Sequence, residues 1–135
     1  NDKLVGDFGA YGLYEYDGAT WTRITSGNAD NSGNTMVAFD DGLAVDFGNG
    51  GLWYYKDGNW TRLTTVNPQW LTSYFDYAYV LNNIPRSIPM FAADFGAYGL
   101  WRYEGDGWPK LHSGDADNSG NTMVGLRQFQ PWIAA

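Results

Sequence analysis

Apolar and polar residues alternate over short segments along most of the chain, which is the two-residue period of half-buried β-strands. In one such segment Tyr14 and Tyr16 share a face, and Glu15 points to the other. Turn pairs that contain glycine, such as Asp17-Gly18, separate the segments and predict tight hairpins between them. No segment combines a sustained 3.6-residue period with a helix cap, so the sequence predicts an all-β fold.

One long unit of sequence occurs twice, at residues 7–37 and 94–124, in a constant register 87 residues apart. Both copies begin with DFGAYGL and end with ADNSGNTMV. A shorter relative at residues 46–64 keeps only the first half of the unit. All three copies place a tryptophan fourteen residues after the aspartate of DFG, and this regularity indicates a repeat architecture.

Each long copy is predicted to hold four strands joined by short turns in up-and-down order. In the first copy the predicted strands are residues 3–8, 13–16, 21–25 and 35–39, and residues 122–126 form the fourth strand of the last copy. The middle copy continues into residues 66–90, the least regular part of the chain. There we predict a strand at residues 74–80 and a turn bracketed by Pro85 and Pro89.

This arrangement is typical of propeller blades, which repeat about every forty residues. The spacings observed here are 39 and 48 residues. We therefore predict a single domain, residues 1–135, of three four-stranded antiparallel blades at about residues 3–39, 40–90 and 91–135. A closed propeller needs at least four blades, so the ring is either incomplete or closed as a homo-oligomer. A small β-barrel or a β-prism is the alternative fold.

Composition narrows the function. The net charge is −7 and the eight basic residues are scattered singly, so binding to nucleic acid is not expected. The chain has no cysteine and a single histidine, His112, which leaves no disulfide, thiolate metal site or His-rich zinc site. No apolar run approaches the roughly twenty residues of a membrane span. The content of aromatic residues and glycine favours an extracellular, secreted protein.

The order of DFG, a turn, a GLW segment, a tryptophan and an Asp-rich loop resembles the FG-GAP or VCBS-like propeller repeats of secreted bacterial proteins. More distantly it is similar to the sugar-binding blades of tachylectins. The resemblance covers nearly the whole chain except residues 66–90. It implies a propeller fold, and in such repeats the loop between blades often binds calcium.

For this chain the resemblance points to a calcium loop in the last copy, with oxygen ligands at alternate positions. Its candidate ligands are Asp115, Asp117, Ser119 and Asn121. The first copy has matching residues at Asn28, Asp30, Ser32 and Asn34. Alternation allows several oxygens to converge on one hard cation, but a third carboxylate and a closing acidic residue are missing. We expect weak calcium binding at most and no other cofactor. The favoured interpretation is that these turn side chains bond to their own backbone.

The same loops are candidates for a carbohydrate site. The loop is identical in the two long copies while the neighbouring strands have drifted, for example from Tyr14 to Trp101, which indicates either a site or a strict turn geometry. A sugar needs an aromatic platform for its C–H face and polar side chains for its hydroxyls. The predicted ligand-binding residues are Tyr11, Tyr14, Asp30, Asn31, Asn34, Tyr98, Trp101, Asp117, Asn118 and Asn121.

Residues shared by all three copies are predicted to be scaffold. Trp21, Trp60 and Trp108 should pack between blades. The aspartate of each DFG should bond to the following turn, because a buried carboxylate without partners is costly; a ring of aspartates around a channel is the alternative.

The sequence gives no sign of an enzyme. No serine stands in a nucleophile-elbow context, and with fifteen acidic residues a carboxylate pair such as Asp40-Asp41 is inevitable. A non-catalytic glycan-binding module is therefore the first functional hypothesis. An assembly module that completes a ring with other copies and a calcium-stabilised adhesion repeat are the alternatives.

Overall fold

A computed structural model describes residues 2–30, 34–116 and 123–126 of the chain. This part folds into three separate antiparallel sheets. It contains no α-helix, and hence no helix long and apolar enough to cross a membrane. The all-β class is confirmed.

The first sheet has the strand order β1-β2-β3, the second β4-β5-β6-β7 and the third β11-β10-β9-β8. The strands of the first sheet are β1 (Leu4–Asp7), β2 (Leu13–Tyr16) and β3 (Trp21–Thr25). Those of the second are β4 (Met36–Phe39), β5 (Gly42–Asp46), β6 (Leu52–Lys56) and β7 (Asn59–Thr64). Those of the third are β8 (Trp70–Leu81), β9 (Ile84–Asp94), β10 (Leu100–Tyr103) and β11 (Lys110–His112). The described strands do not close into a barrel, so the barrel alternative is wrong.

The prediction of four strands in every sheet is wrong for the first sheet, which has three among the described residues. The strand predicted at residues 35–39 exists as β4, but it pairs with β5 of the second sheet. A two-residue turn joins β4 to β5, with φ of 47° at Asp40 and 60° at Asp41. Positive φ at both central residues makes a hairpin whose twist matches the strands, so β4 pairs with the strand that follows it.

A long hairpin distinguishes the third sheet. The predicted strand at residues 74–80 is confirmed as part of β8, but the predicted turn between Pro85 and Pro89 is wrong, because both prolines lie in β9. The turn is Asn82-Asn83, with φ of 51° and 61°. Within β9, only residues 91–94 pair with β10. Pro85 and Pro89 lie before this stretch, so their missing N–H groups cost no hydrogen bond to β10.

The last predicted strand, residues 122–126, is not observed. Residue 122 lies outside the described part, and residues 123–126 are not in a strand. Met123 nevertheless contacts the third sheet, where its carbonyl oxygen accepts a hydrogen bond of 3.0 Å from Thr72 Oγ1 in β8.

The DFG turn has the same geometry in each sheet. Oδ1 of Asp7 accepts a hydrogen bond from the N–H of Gly9 at 2.9 Å, and a single 3₁₀ turn follows. Asp46 and Asp94 make the same bond to the N–H groups of Gly48 and Gly96, at 2.7 and 2.9 Å. The role predicted for this aspartate is thereby confirmed.

Adjacent sheets pack face to face through the repeated tryptophans. Between the first and second sheets, Leu13, Ala29 and Val45 are buried, and Trp60 packs against them. Nε1 of Trp60 also donates a hydrogen bond of 3.2 Å to the carbonyl oxygen of Ile24. One tryptophan thus ties the second sheet to the first.

The second and third sheets share a larger aromatic core. Phe39 and Phe91 meet edge to face across this junction, with ring centroids 5.0 Å apart, and Trp108 packs against the same cluster. The predicted packing role is therefore confirmed for Trp60 and Trp108. Trp21 differs, because 43% of it is exposed and its ring stacks on Tyr16 of its own sheet.

Candidate ligand-binding groove

An open groove separates the first and second sheets near the end of β3. It has a volume of about 420 Å³. We call it the inter-sheet groove; its lining residues are Thr25, Gly27, Asn28, Phe47, Trp53 and Trp60. One wall comes from the first sheet and the loop after it, and the other from the second sheet.

The second-sheet wall is aromatic. Trp53 lies in β6, where its Nε1 donates to the carbonyl oxygen of Gly50 at 2.9 Å and so fixes the indole plane. The guanidinium carbon of Arg62 lies 5.7 Å from the centre of the Trp53 ring, close enough for a cation–π contact. Trp60 and Phe47 pack together, with centroids 5.6 Å apart. The wall is therefore apolar and held in place.

The first-sheet wall supplies polar groups. Oγ1 of Thr25 accepts a hydrogen bond of 3.1 Å from the N–H of Gly27, which turns the chain at the end of β3. Asn28 follows and is exposed, so its amide can donate and accept at the rim. A Cβ atom on Gly27 would come within 3.1 Å of the Phe47 ring. The absence of a side chain at Gly27 therefore keeps this edge open.

The junction between the second and third sheets has the same framework with one change. Trp101 stands at the position of Trp53, and its Nε1 donates to the carbonyl oxygen of Tyr98 at 2.8 Å. The centre of its ring lies 5.6 Å from Lys110 Nζ. Val66, however, occupies the position equivalent to Gly27, and it packs against the aromatic core. A side chain thus stands where the first junction has a gap.

A buried carboxyl group lies beside the groove. Asp46 is 1% exposed, and burial raises its pKa to about 7. The bond from Gly48 N–H opposes this rise, and the negative charge of Asp30 adds to it. Asp30, a predicted ligand residue, donates its own N–H to the carbonyl oxygen of Asp46 at 2.9 Å, so it lies against the DFG turn of the second sheet.

The other predicted ligand residues are spread over the molecule. Tyr11 and Tyr98 are exposed on the 3₁₀ turns of the first and third sheets. Tyr14 packs edge to face on Phe8 at 5.4 Å. Asn34 joins two sheets, because its Nδ2 donates to the carbonyl oxygen of Leu71 at 2.6 Å. Asn31, Asp117, Asn118 and Asn121 lie outside the described residues.

Of the calcium ligands predicted in the last copy only Asp115 is described, and it is exposed; Asp117, Ser119 and Asn121 lie outside the described part. Across residues 2–30, 34–116 and 123–126, no three or more His, Asp or Glu side chains form a group that could hold a metal ion.

Sequence reasoning missed Gly27, Asn28 and Trp53 as parts of one groove. The middle copy lacks the duplicated loop, on which the prediction of the site depends. The available signal was that Trp53 occupies the same place in its copy as Tyr14 and Trp101 do in theirs. That a loop after one sheet faces the tryptophan of the next sheet follows only from the packing of the sheets.

Neither a protein-family model, a curated protein nor a solved structure matches this chain. The geometry of the described residues is that of an all-β protein with three antiparallel sheets and an open aromatic groove between the first two.

Proposed function

We propose that this chain is a non-catalytic glycan-binding module and that the inter-sheet groove holds one sugar residue. The observation that carries the proposal is the fixed indole of Trp53 facing a polar rim formed by Thr25 and Asn28. The C–H face of a sugar packs on an aromatic ring while its hydroxyls need amide or hydroxyl partners. A volume of about 420 Å³ is within the usual range for small-molecule sites.

The three sheets are, in this proposal, blades of a propeller. Two features support it: every sheet is antiparallel with its strands in sequence order, and the same phenylalanine and tryptophan positions join successive sheets. Radial repetition of such sheets is the propeller arrangement. Binding between blades then follows from the loop of one blade facing the tryptophan of the next.

The first test compares two equivalent tryptophans. Trp53→Ala removes the platform of the open groove, whereas Trp101→Ala removes its counterpart beside Val66. On a glycan array and then by titration calorimetry with the best ligand, we expect Trp53→Ala to weaken binding roughly two- to twelvefold, since an aromatic contact contributes about 0.5–1.5 kcal/mol. Trp101→Ala should bind like the wild type. An array without hits, or equal losses in the two variants, would contradict the proposal.

The second test changes the gap itself. Gly27→Val places in the open groove the side chain that the next junction already carries, so binding should be lost while the circular dichroism spectrum stays that of the wild type. Val66→Gly should raise the number of sugars bound per chain. If Gly27→Val bound with unchanged affinity, the sugar would have to lie elsewhere.

A further inference from the structure

At each internal junction, the phenylalanine and tryptophan of one sheet pack against a leucine-bearing face of the sheet before it. At the first junction Phe47 and Trp60 of the second sheet pack against the cluster that contains Leu13 of the first sheet. At the second junction Phe95 and Trp108 of the third sheet belong to the cluster that contains Leu52 of the second. The same pair of complementary faces therefore packs together at both internal junctions.

The first sheet presents one of these sets without a cover. We call it the Trp21 face; it consists of Phe8 and Trp21, which stand at the positions of Phe47 and Trp60. Phe8 is 49% exposed and Trp21 is 43% exposed, whereas the equivalent Phe95 in the third sheet is 8% exposed. The difference arises because no sheet of the described chain packs on this face.

The third sheet presents the complementary set. We call it the Leu111 face; it consists of Leu100 and Leu111. Leu111, at the position of Ile24, is 49% exposed, whereas Ile24 is half-buried. Leu100 is half-buried, although its equivalents Leu13 and Leu52 have no exposed surface. This face lacks the phenylalanine and tryptophan that cover the same positions at both internal junctions.

We propose that a second copy of this chain covers these faces, with the Trp21 face of one copy packed on the Leu111 face of the other. Each face complements the other and not itself, so the association is head to tail and ends when a ring closes. Two copies bring six sheets together, within the four to eight blades of known propellers, whereas three copies would bring nine. The expected particle is a closed dimer of twice 15.1 kDa.

The segment at residues 123–126 supports the same partner. The first long copy continues from its loop into β4, which pairs with β5 of the next sheet. Residues 123–126 follow the identical loop in the last copy, and β1 of the first sheet is an edge strand. In the dimer this segment adds to β1 of the second copy, placing Val124 opposite Val5 as Val37 lies opposite Ala44.

The dimer would also complete further binding grooves, a step that rests on the proposed glycan-binding function. Gly114 and Asp115 stand at the positions of Gly27 and Asn28, and Tyr14 of the second copy would take the place of Trp53. The junction between copies would therefore regenerate the open groove, since it again has a glycine where the second internal junction has Val66.

The test is the mass in solution, measured by light scattering and by sedimentation equilibrium over a range of concentrations. We expect the wild type to be a dimer and Leu111→Arg to be a monomer with an unchanged circular dichroism spectrum. Ile84→Arg is the matched control, because Ile84 is 52% exposed and lies at the tip of the long hairpin, away from either face. It should remain a dimer. A monomeric wild type, or dissociation of Ile84→Arg as well, would overturn the proposal.

Mixing two variants tests the head-to-tail orientation. Leu111→Arg and Phe8→Arg each damage one face, so each alone should be monomeric. In the mixture one junction combines two intact faces, and a one-to-one dimer should form at concentrations where the separate variants stay monomeric. A mixture that remains monomeric would exclude this orientation. Sugar binding in the groove beside Trp53 should persist in Leu111→Arg, so failure of the dimer and failure of the glycan function are distinguishable.

Discussion

Asp7, Asp46 and Asp94 share one hydrogen bond to the following turn but not one environment. Asp7 is exposed, whereas Asp46 is buried, and desolvation raises its pKa to about 7 from an ordinary value of 3.8. The unfolded chain therefore releases this proton at lower pH than the folded chain does. The contribution of Asp46 to stability is consequently greatest below about pH 4 and decreases as the pH rises to about 7.

Asp46→Asn should remove this dependence, because an amide side chain does not titrate. The turn should persist, because the asparagine oxygen can still accept the bond from Gly48. Relative to the variant, the free energy of unfolding of the wild type should fall by at most about 1.4 kcal/mol per pH unit between pH 4 and 7. Urea unfolding at several pH values measures the difference, with Asp7→Asn as the exposed control. Parallel profiles for wild type and Asp46→Asn would show that Asp46 titrates normally.

At this scale the sequence predicted the duty of the DFG aspartate but not that Asp46 and Asp94 would be buried while Asp7 is exposed. The turn bond depends on a partner two residues away, whereas Asp46 is also in contact with the loop after the first sheet, where the N–H of Asp30 donates to its carbonyl oxygen. The groove residues also divide into those that a local sequence signal reveals and those that only the packing of the sheets brings together. Trp53 was visible as a repeated aromatic position, yet its partner Asn28 lies 25 residues earlier in the sequence and on another sheet.

Among the elements, the turn between the first two strands of each DFG hairpin is fixed by a glycine that no other residue can replace without strain. Gly51 has φ of +90°, and a Cβ atom there would lie 2.4 Å from the carbonyl oxygen of Thr64. Gly12 and Gly99 have the same surroundings, because a Cβ atom at either position would collide with the carbonyl oxygen of Thr25 or of His112, at the end of β3 or of β11. Gly58 has φ of +82°, but open space around its Cβ position.

Gly51→Ala and Gly58→Ala therefore separate backbone strain from steric collision. Gly58→Ala should cost about 1–2 kcal/mol of unfolding free energy for the left-handed conformation alone. Gly51→Ala should cost about 2–5 kcal/mol, because the methyl group also displaces β7. Denaturant unfolding of the two variants measures this, and equal costs would mean that the contact with Thr64 relaxes freely.

Strand positions were largely predictable because alternation and Asp-Gly or Glu-Gly turns are local signals. The two hairpins that were missed use Asp40-Asp41 and Asn82-Asn83, pairs without glycine. Both residues of each pair adopt positive φ, which Asp and Asn tolerate better than other non-glycine residues. Without a glycine to mark these turns, the sequence pattern assigns β4 to the first sheet and predicts a turn between the prolines of β9.

At the scale of the whole molecule, the equivalent tryptophans Trp21 and Trp60 should contribute unequally to the free energy of unfolding. Trp60 fills the junction of two sheets, whereas Trp21 packs on Phe8 and Tyr16 and is 43% exposed. In the Leu111→Arg background, where the end faces stay apart, Trp60→Ala should cost about 3–5 kcal/mol of unfolding free energy. Trp21→Ala should cost about 1 kcal/mol. Similar costs measured by denaturant unfolding would mean that Trp21 is covered within one chain.

The sequence by itself determined the all-β class, most strands, the turn after each DFG aspartate and the packing role of Trp60 and Trp108. These features depend on side-chain alternation and on glycine, aspartate and tryptophan at fixed spacings, so short stretches specify them. Only the tertiary structure decided that β4 belongs to the second sheet and that Gly27 leaves a groove open in front of Trp53. The first depends on positive φ at both Asp40 and Asp41, which these residue types tolerate but do not impose. The second depends on surfaces that meet only when separate sheets pack, and alternation within a strand carries no information about either.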